Sequence, residues 1–165
     1  MCAMLRLFKG MHFPGSPDDA TQRQPAGYDL SVRSVSQFAG LGTLDFSNER
    51  RSLPQLRELD WPANDTPLLL LPGGYLVTYN ESISVPADSA GILLPRSSLM
   101  RCGATLHSAL WDPGYTGKGQ GLMTVFNLLE LYRDARIAQF ILLAIEGEVD
   151  SLYSGRYQGE NLDNP

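Results

Sequence analysis

The chain has 165 residues, of which 43% are hydrophobic and 19% charged, an ordinary globular balance that argues against a disordered chain. Its formal net charge of −5 argues against nucleic-acid binding, because that function needs a basic face. Two cysteines, Cys2 and Cys102, are too few for a disulfide framework or a zinc site, and two reduced thiols favour a cytoplasmic location.

Membrane insertion is not expected either. The longest apolar run, residues 140–145, has the length of a strand and falls far below the ~18 residues that a spanning helix needs. The N-terminus lacks a long apolar stretch followed by a small-residue cleavage site, so we interpret it as the start of the mature fold.

The first half of the chain contains few regular patterns. Residues 1–24 form a variable N-terminal segment that we expect to be irregular, with a turn at 14–19. The imperfect alternation over Tyr28–Val35 predicts a half-buried strand. The polar, proline-containing stretch 47–67 predicts a surface excursion, in which Leu53–Leu59 could form one or two helical turns.

The second half contains short strands at turn intervals of about ten residues, which is typical of an all-β sandwich or barrel. The predicted strands are Leu68–Leu71, Tyr75–Tyr79, Ser82–Val85, Gly91–Leu94, Thr105–Leu110, Leu122–Phe126 and Ile137–Ile145. Leu128–Ala135 is the only other helical candidate. We expect one domain over 1–165, ending in a polar segment, 153–165, which by composition alone predicts a loose tail.

Five short segments carry polar and glycine-rich patterns in a fixed order. They are Ala26–Leu30, Pro95–Leu99, Trp111–Gly117, Arg136–Gln139 and Gly155–Gly159. Together they resemble the ordered motifs of the dUTPase/dCTP deaminase superfamily, and the final Tyr-Gln-Gly is closest to its archaeal-type dUTPases. The resemblance covers about residues 24–162. It implies an all-β, distorted β-barrel or jelly-roll-like dUTPase fold with little helix, and a homotrimer with shared active sites.

The segment Arg96-Ser97-Ser98 suits phosphate binding, since two hydroxyls and a guanidinium can hold phosphate oxygens. In isolation the same residues would be an ordinary solvated loop. The resemblance implies that they grip the triphosphate of a deoxynucleotide substrate, and we assign Arg101 to the same substrate-binding group.

Asp112 lies between a tryptophan and a Pro-Gly turn, and by itself Asp-Pro-Gly is simply a good turn. A carboxylate there can also accept a proton from water and orient it. The resemblance implies that Asp112 does so, that Tyr115 lies against the sugar and disfavours a 2′-hydroxyl, and that the hairpin from Gly117 reads the pyrimidine edge through its backbone.

Two further roles are implied by the resemblance. Asp29 would help to hold the water shell of a Mg²⁺ ion carried in with the triphosphate, which suits an ion that keeps several waters. Gln139 would hydrogen-bond the phosphates or the attacking water. In the C-terminal segment, Arg156, Tyr157 and Gln158 would close over the nucleotide as a lid.

Three functions stay open at this point. Hydrolysis of dUTP to dUMP and pyrophosphate is preferred, because the resemblance implies that dCTP deamination uses a glutamate where Thr124 stands and an arginine where Leu110 stands. A dCTP deaminase, monofunctional or bifunctional, stays possible if Glu130 aligns with the glutamate position. The third alternative is a non-catalytic deoxynucleotide-binding or regulatory relative. With only His12 and His107, no histidine-based site is expected.

Overall fold

A computed structural model describes residues 5–6, 8, 10–63 and 65–162 of the chain. Cys2 and the end of the predicted lid, 163–165, lie outside these residues. Within them the chain forms thirteen strands and two short helices. In chain order they are β1 (Leu5–Arg6), α1 (Asp19–Gln22), β2 (Arg23–Gln24), β3 (Gly27–Ala39), β4 (Gln55–Glu58), β5 (Leu68–Leu70), β6 (Gly73–Tyr79), β7 (Ile83–Ser84), β8 (Ser89–Pro95), α2 (Ser97–Arg101), β9 (Ala104–His107), β10 (Thr116–Gly117), β11 (Gln120–Val125), β12 (Leu129–Leu131) and β13 (Arg136–Ala144).

The main sheet is antiparallel and runs β1-β13-β3-β6-β11-β9, with β2 and β4 added on β3 and β8 added on β13. The long strand β3 pairs with β13 through its first residues and with β6 through its second half. Register shifts lie between Val32 and Ser34 in β3 and between Arg136 and Ala138 in β13. Such irregularities bend a strand, and here the sheet curls into a nearly closed barrel. The all-β prediction is confirmed.

Aromatic side chains occupy the centre of the core. Phe13 stacks on Tyr28 with ring centroids 3.8 Å apart, and Phe140 packs against Trp111 at 5.2 Å. Phe8 and Phe13 are both buried, so the described part of the N-terminal segment is more ordered than its sequence predicts. Its helix α1 begins after Asp18, whose carboxylate accepts a hydrogen bond from the Thr21 N–H as an N-cap.

Both helical candidates of the sequence are wrong. Residues 55–58 form β4, which pairs with the end of β3, and residues 129–131 form β12, which pairs with β5. Their propensities are weak, and pairing with a neighbouring strand decides the local structure. None of the helices in the described part of the chain is long and apolar enough to cross a membrane.

The excursion before β4 projects from the barrel. Residues 40–54, which we call the arm, are mostly exposed and are closed by an isolated antiparallel bridge between Thr43 and Ser52. The arm exposes four large apolar side chains, Leu41, Leu44, Phe46 and Leu53. The prediction of a surface excursion is therefore confirmed for residues 47–54, which are mostly exposed.

Candidate active site

The first cluster of candidate residues forms around Asp29, whose side chain is only 1% exposed. Strand pairing places Asp29 on β3 opposite Gln139 on β13. The Asp29 Oδ2 atom accepts from Arg96 Nε at 2.9 Å and from Arg136 Nη1 at 3.3 Å. Gln139 Nε2 lies 3.5 Å from Asp29 Oδ1. Three of the predicted residues are thus brought together, with Arg136 as an additional cation.

Burial and the neighbouring side chains shift the pKa of Asp29 in opposite directions. Burial raises the pKa of Asp29, while the Arg96 and Arg136 guanidiniums and the Gln139 amide pull it down, and the net direction is upward. Close packing is part of the arrangement, because a Cβ at Gly27 would lie 2.7 Å from the Gln139 side chain. Glycine is therefore needed at that position of the motif for Gln139 to approach.

A second buried carboxylate, that of Glu81, is linked to the Asp29 backbone through Gln22. Glu81 is fully buried and accepts hydrogen bonds from the Ser31 N–H, the Ser31 hydroxyl and Gln22 Nε2. Gln22 Nε2 also donates to the Asp29 carbonyl oxygen at 2.8 Å. Burial raises the pKa of Glu81 in spite of these donors. Glu81 was not predicted from the sequence, because a lone glutamate before a short strand has the pattern of a surface residue.

The predicted phosphate-binding residues follow β8. Arg96 stands just before α2, and its backbone N–H donates to the Ile137 carbonyl at 2.9 Å. Ser97 and Ser98 begin α2 and are exposed, as is Arg101, whose Nη1 lies 3.3 Å from the Ser97 carbonyl. The two hydroxyls and the Arg101 guanidinium are therefore accessible to an anion.

The second cluster surrounds Asp112. An antiparallel bridge between Trp111 and Gly91 fixes the preceding residue, and a turn closes with the Tyr115 N–H bonded to the Asp112 carbonyl at 3.1 Å. Gly114 adopts φ +83° in that turn, a conformation that favours glycine. The Asp112 side chain has no hydrogen-bond or ion-pair partner among the described residues, so its oxygens are available to a ligand.

A cavity of about 250 Å³ opens beside Asp112. Its lining includes Trp111, Asp112, Tyr115, Tyr153, Tyr157 and Glu160. Trp111 and Tyr115 pack edge to face with centroids 5.1 Å apart. Aromatic walls with a few polar groups are the usual features of a small-molecule site.

The C-terminal segment is not a loose tail over residues 153–162. It lies along the 113–118 stretch of its own chain, with the Gly159 N–H bonded to the Thr116 carbonyl and the Lys118 N–H to the Glu160 carbonyl. The Gln158 amide accepts from the Thr116 N–H and donates to the Gly114 carbonyl, both at 3.0 Å. Tyr157 lines the cavity, whereas Arg156 is exposed.

Glu160 is a cavity residue that was not predicted from the sequence. Its Oε1 atom accepts a hydrogen bond from the Tyr115 hydroxyl at 2.8 Å. Burial raises the pKa of Glu160, and the same burial together with the Glu160 charge raises the pKa of Tyr115. Glu160 directly follows the Tyr-Gln-Gly motif, but neither its type nor its position in the sequence indicates the contact with Tyr115.

The two clusters are formed by different elements of the chain. Over the part of the chain that the structure describes, no hydrogen bond or ion pair joins the Asp29–Arg96–Gln139 group to the Asp112–Tyr115 group. Each group holds part of what the sequence predicted as one site.

The described residues do not form a direct coordination site for a divalent cation. No group of three or more His, Cys, Asp or Glu side chains that could hold a metal occurs among the described residues. Asp29 Oδ2 is occupied by two guanidiniums, while Oδ1 has only the long contact to Gln139. The pair Asp29 and Gln139 can therefore accept from or donate to a metal-bound water, but it does not form a direct coordination site.

The positions that deamination would use carry no acid–base group. Thr124 lies on β11 and Leu110 is exposed. Glu130 lies on β12 opposite Leu69 of β5, on a different strand from Thr124. His107 is an exposed residue of β9 opposite Leu122.

Comparisons with known proteins agree with this fold and these motifs. A profile described as dCTP deaminase-like matches residues 11–145. The chain belongs to this family, and the superfamily resemblance of its motifs is confirmed. An Agrobacterium tumefaciens 2′-deoxycytidine 5′-triphosphate deaminase structure has a TM-score of 0.60 and 20% identity over 87% of this chain and 49% of that chain, which supports the fold.

The chain is also similar to several archaeal proteins at higher identity. A probable deoxyuridine 5′-triphosphate nucleotidohydrolase from Methanosarcina acetivorans is 40% identical over 87% of this chain and 85% of the relative. A deoxyuridine 5′-triphosphate nucleotidohydrolase from Methanocaldococcus jannaschii is 43% identical over 84% of this chain and 88% of the relative. A probable one from Halobacterium salinarum is 39% identical over 94% and 93%.

Proposed function

We propose that the chain hydrolyses dUTP to dUMP and pyrophosphate. The observation that carries this proposal is the Asp112 carboxylate, which borders an aromatic cavity and has no side-chain partner among the described residues. The archaeal relatives named as deoxyuridine triphosphate nucleotidohydrolases support it. Thr124 in place of a proton-shuttling glutamate argues against deamination of cytosine.

In the proposed reaction Asp112 orients a water molecule and accepts its proton. The water oxygen forms a bond to the α-phosphorus, the bond from that phosphorus to the bridging oxygen breaks, and pyrophosphate leaves with both bonding electrons. The Tyr115 ring lies against the deoxyribose, while backbone groups near Gly117 read the pyrimidine edge. An ionised carboxylate in hydrogen-bond reach of the water is the requirement for this step.

The phosphates are proposed to bind the other cluster. Arg96 and Arg101 supply charge, Ser97 and Ser98 supply hydroxyl donors, and Gln139 donates its amide. Arg96 is held in place by its ion pair with buried Asp29, so little conformational freedom is lost when it binds an anion. From the C-terminal segment, Arg156, Tyr157 and Gln158 are proposed to close over the bound nucleotide.

A divalent metal, Mg²⁺, is proposed to enter with the triphosphate. When bound, it neutralises phosphate charge, and Asp29 and Gln139 hold its water shell through hydrogen bonds. This role fits the one Asp29 oxygen that the guanidiniums leave open.

We further propose a homotrimer in which the Asp112 cluster of one subunit faces the Asp29 cluster of the next. Among the described residues no hydrogen bond or ion pair joins the two clusters, which is compatible with shared sites. The exposed apolar side chains of the arm are also consistent with contact between copies, since large apolar groups are seldom left in water together.

A nucleotide panel tests the proposed activity. With Mg²⁺ present, dUTP, dCTP, dTTP and UTP are each assayed for pyrophosphate and for ammonia. We expect pyrophosphate from dUTP and no ammonia from any substrate. Ammonia from dCTP would replace the proposal by deamination, and no turnover of any nucleotide would leave the binding or regulatory alternative.

A further inference from the structure

The Tyr115 ring is fixed by packing on its sides. It lies edge to face against Trp111 at 5.1 Å and against Tyr153 at 5.7 Å, and only 6% of its surface is exposed. Packing of this kind restricts rotation about the side-chain torsions, and a hydrogen bond at the hydroxyl adds a further restraint at the far end of the ring.

The hydroxyl end is fixed by two other residues. It donates to Glu160 Oε1 at 2.8 Å, and it lies so close to Gly117 that a Cβ there would stand 2.6 Å from the oxygen. Tyr115 has only one hydroxyl hydrogen to donate, so the Glu160 carboxylate sets its direction.

Glu160 reaches Tyr115 only because the C-terminal segment is docked. The docking uses the backbone bonds from Gly159 to Thr116 and from Lys118 to Glu160, and the Asn161 amide adds a bond of 2.8 Å to the Lys118 carbonyl. Release of the segment would remove the carboxylate and free the hydroxyl end of the ring together.

We infer that Glu160 is a positioning residue, which holds Tyr115 against the sugar and makes discrimination against ribose depend on the docked C-terminal segment. The inference rests on the proposed function, in which Tyr115 excludes a 2′-hydroxyl by shape. Exclusion by shape works only if the excluding group cannot move aside, since a mobile ring would yield to one additional oxygen. Glu160 supplies this constraint from a segment far along the chain.

The experiment compares the binding of α,β-imido-dUTP and α,β-imido-UTP, so that the readout does not require turnover. For Glu160→Ala we expect the preference for the deoxy analogue to fall about tenfold, as loss of a hydrogen bond to a charged group allows. Glu160→Gln keeps an acceptor for the Tyr115 hydroxyl and should stay near the wild-type preference. The matched control is Glu148→Ala, which removes an exposed glutamate outside the site.

Two further variants separate positioning from direct contact. Tyr115→Phe keeps the ring but loses the donor, so it should lower the preference as much as Glu160→Ala, and the double variant should lose no more than either single one. Additive losses, or an unchanged preference in Glu160→Ala, would overturn the inference alone. If the wild-type protein binds neither analogue, the proposed function fails and the inference fails with it.

Discussion

At the residue scale, the carboxylates of the two clusters differ in what already occupies them. Asp29 is held by two arginines and is almost fully buried, whereas Asp112 is half-buried and has no side-chain partner among the described residues. A general base must be free to accept a proton, and the unpaired Asp112 carboxylate fits that proposed role. The paired Asp29 carboxylate fits its proposed role of holding Arg96 and the water shell of the metal.

Replacing Asp112 by Asn tests this assignment. The amide keeps the size of the side chain but cannot accept the water proton, so turnover of dUTP should fall by ~10² or more. The dissociation constant for α,β-imido-dUTP should change little, because the phosphate-binding residues are untouched. The matched control is Asp150→Asn, an exposed position, and turnover near the wild-type rate in Asp112→Asn would exclude Asp112 as the base.

Glu81 gives a prediction about stability and pH. Because burial raises its pKa, the folded protein keeps the Glu81 proton at pH values where the unfolded chain has released it. The unfolded state therefore binds fewer protons, and the contribution of this group to the free energy of unfolding falls as the pH rises. The loss begins at the ordinary glutamate pKa and is complete above the raised one.

Glu81→Gln removes that titration. Denaturant unfolding measured from acid to neutral pH should show a smaller decline in the variant than in the wild type over the same window. The variant should also be less stable by about 1–3 kcal/mol at low pH, since one donor of the amide faces the donors on Ser31 and Gln22. Exposed Glu148→Gln is the control, and parallel pH curves for wild type and Glu81→Gln would contradict the assignment.

At the element scale, several strands were predicted from the apolar and partly alternating pattern of their own residues. Tyr28–Val35 and Tyr75–Tyr79 lie within β3 and β6, and Ile137–Ile145 nearly coincides with β13. The alternation records which face of each strand is buried, and this information is local. The strands β4 and β12 escaped prediction because their structure comes from partners distant in sequence.

The site was predictable to the extent that its motifs are local. Asp29, Arg96 and Gln139 were identified in three separate motifs, and the structure brings them together. Arg136 belongs to the Arg136–Gln139 motif, but the sequence indicates no role for it. Only the pairing of the strands shows that its guanidinium reaches Asp29. Glu160 and Glu81 depend on packing between remote segments, and neither residue type nor spacing indicates such contacts.

The C-terminal segment shows the same limit. Its composition predicts a loose tail, since it has no apolar period that would bury a face. Its order comes from hydrogen bonds with backbone groups of the 113–118 stretch, which hold it as the edge of a sheet holds an additional strand. Such an edge is invisible in sequence until the neighbouring strands are known.

At the scale of the whole molecule, the proposed shared site would need a second subunit to bring both clusters to one nucleotide. A trimer would have about three times the 18.1 kDa mass of the chain, which sedimentation can measure. Mass alone does not show that sites are shared, because a trimer could also carry three independent sites.

Subunit mixing decides between shared and independent sites. Asp112→Asn disables one cluster and Arg96→Gln the other, so each variant alone should be nearly inactive. If a site takes Asp112 from one subunit and Arg96 from the next, random trimers of the two variants regain about a quarter of the wild-type sites. The variants are mixed in equal amounts, unfolded and refolded together, with each variant refolded alone as the control. A mixture no more active than the separate variants would show that each chain builds its site alone, and the proposed trimeric site would then be wrong even if the protein sediments as a trimer.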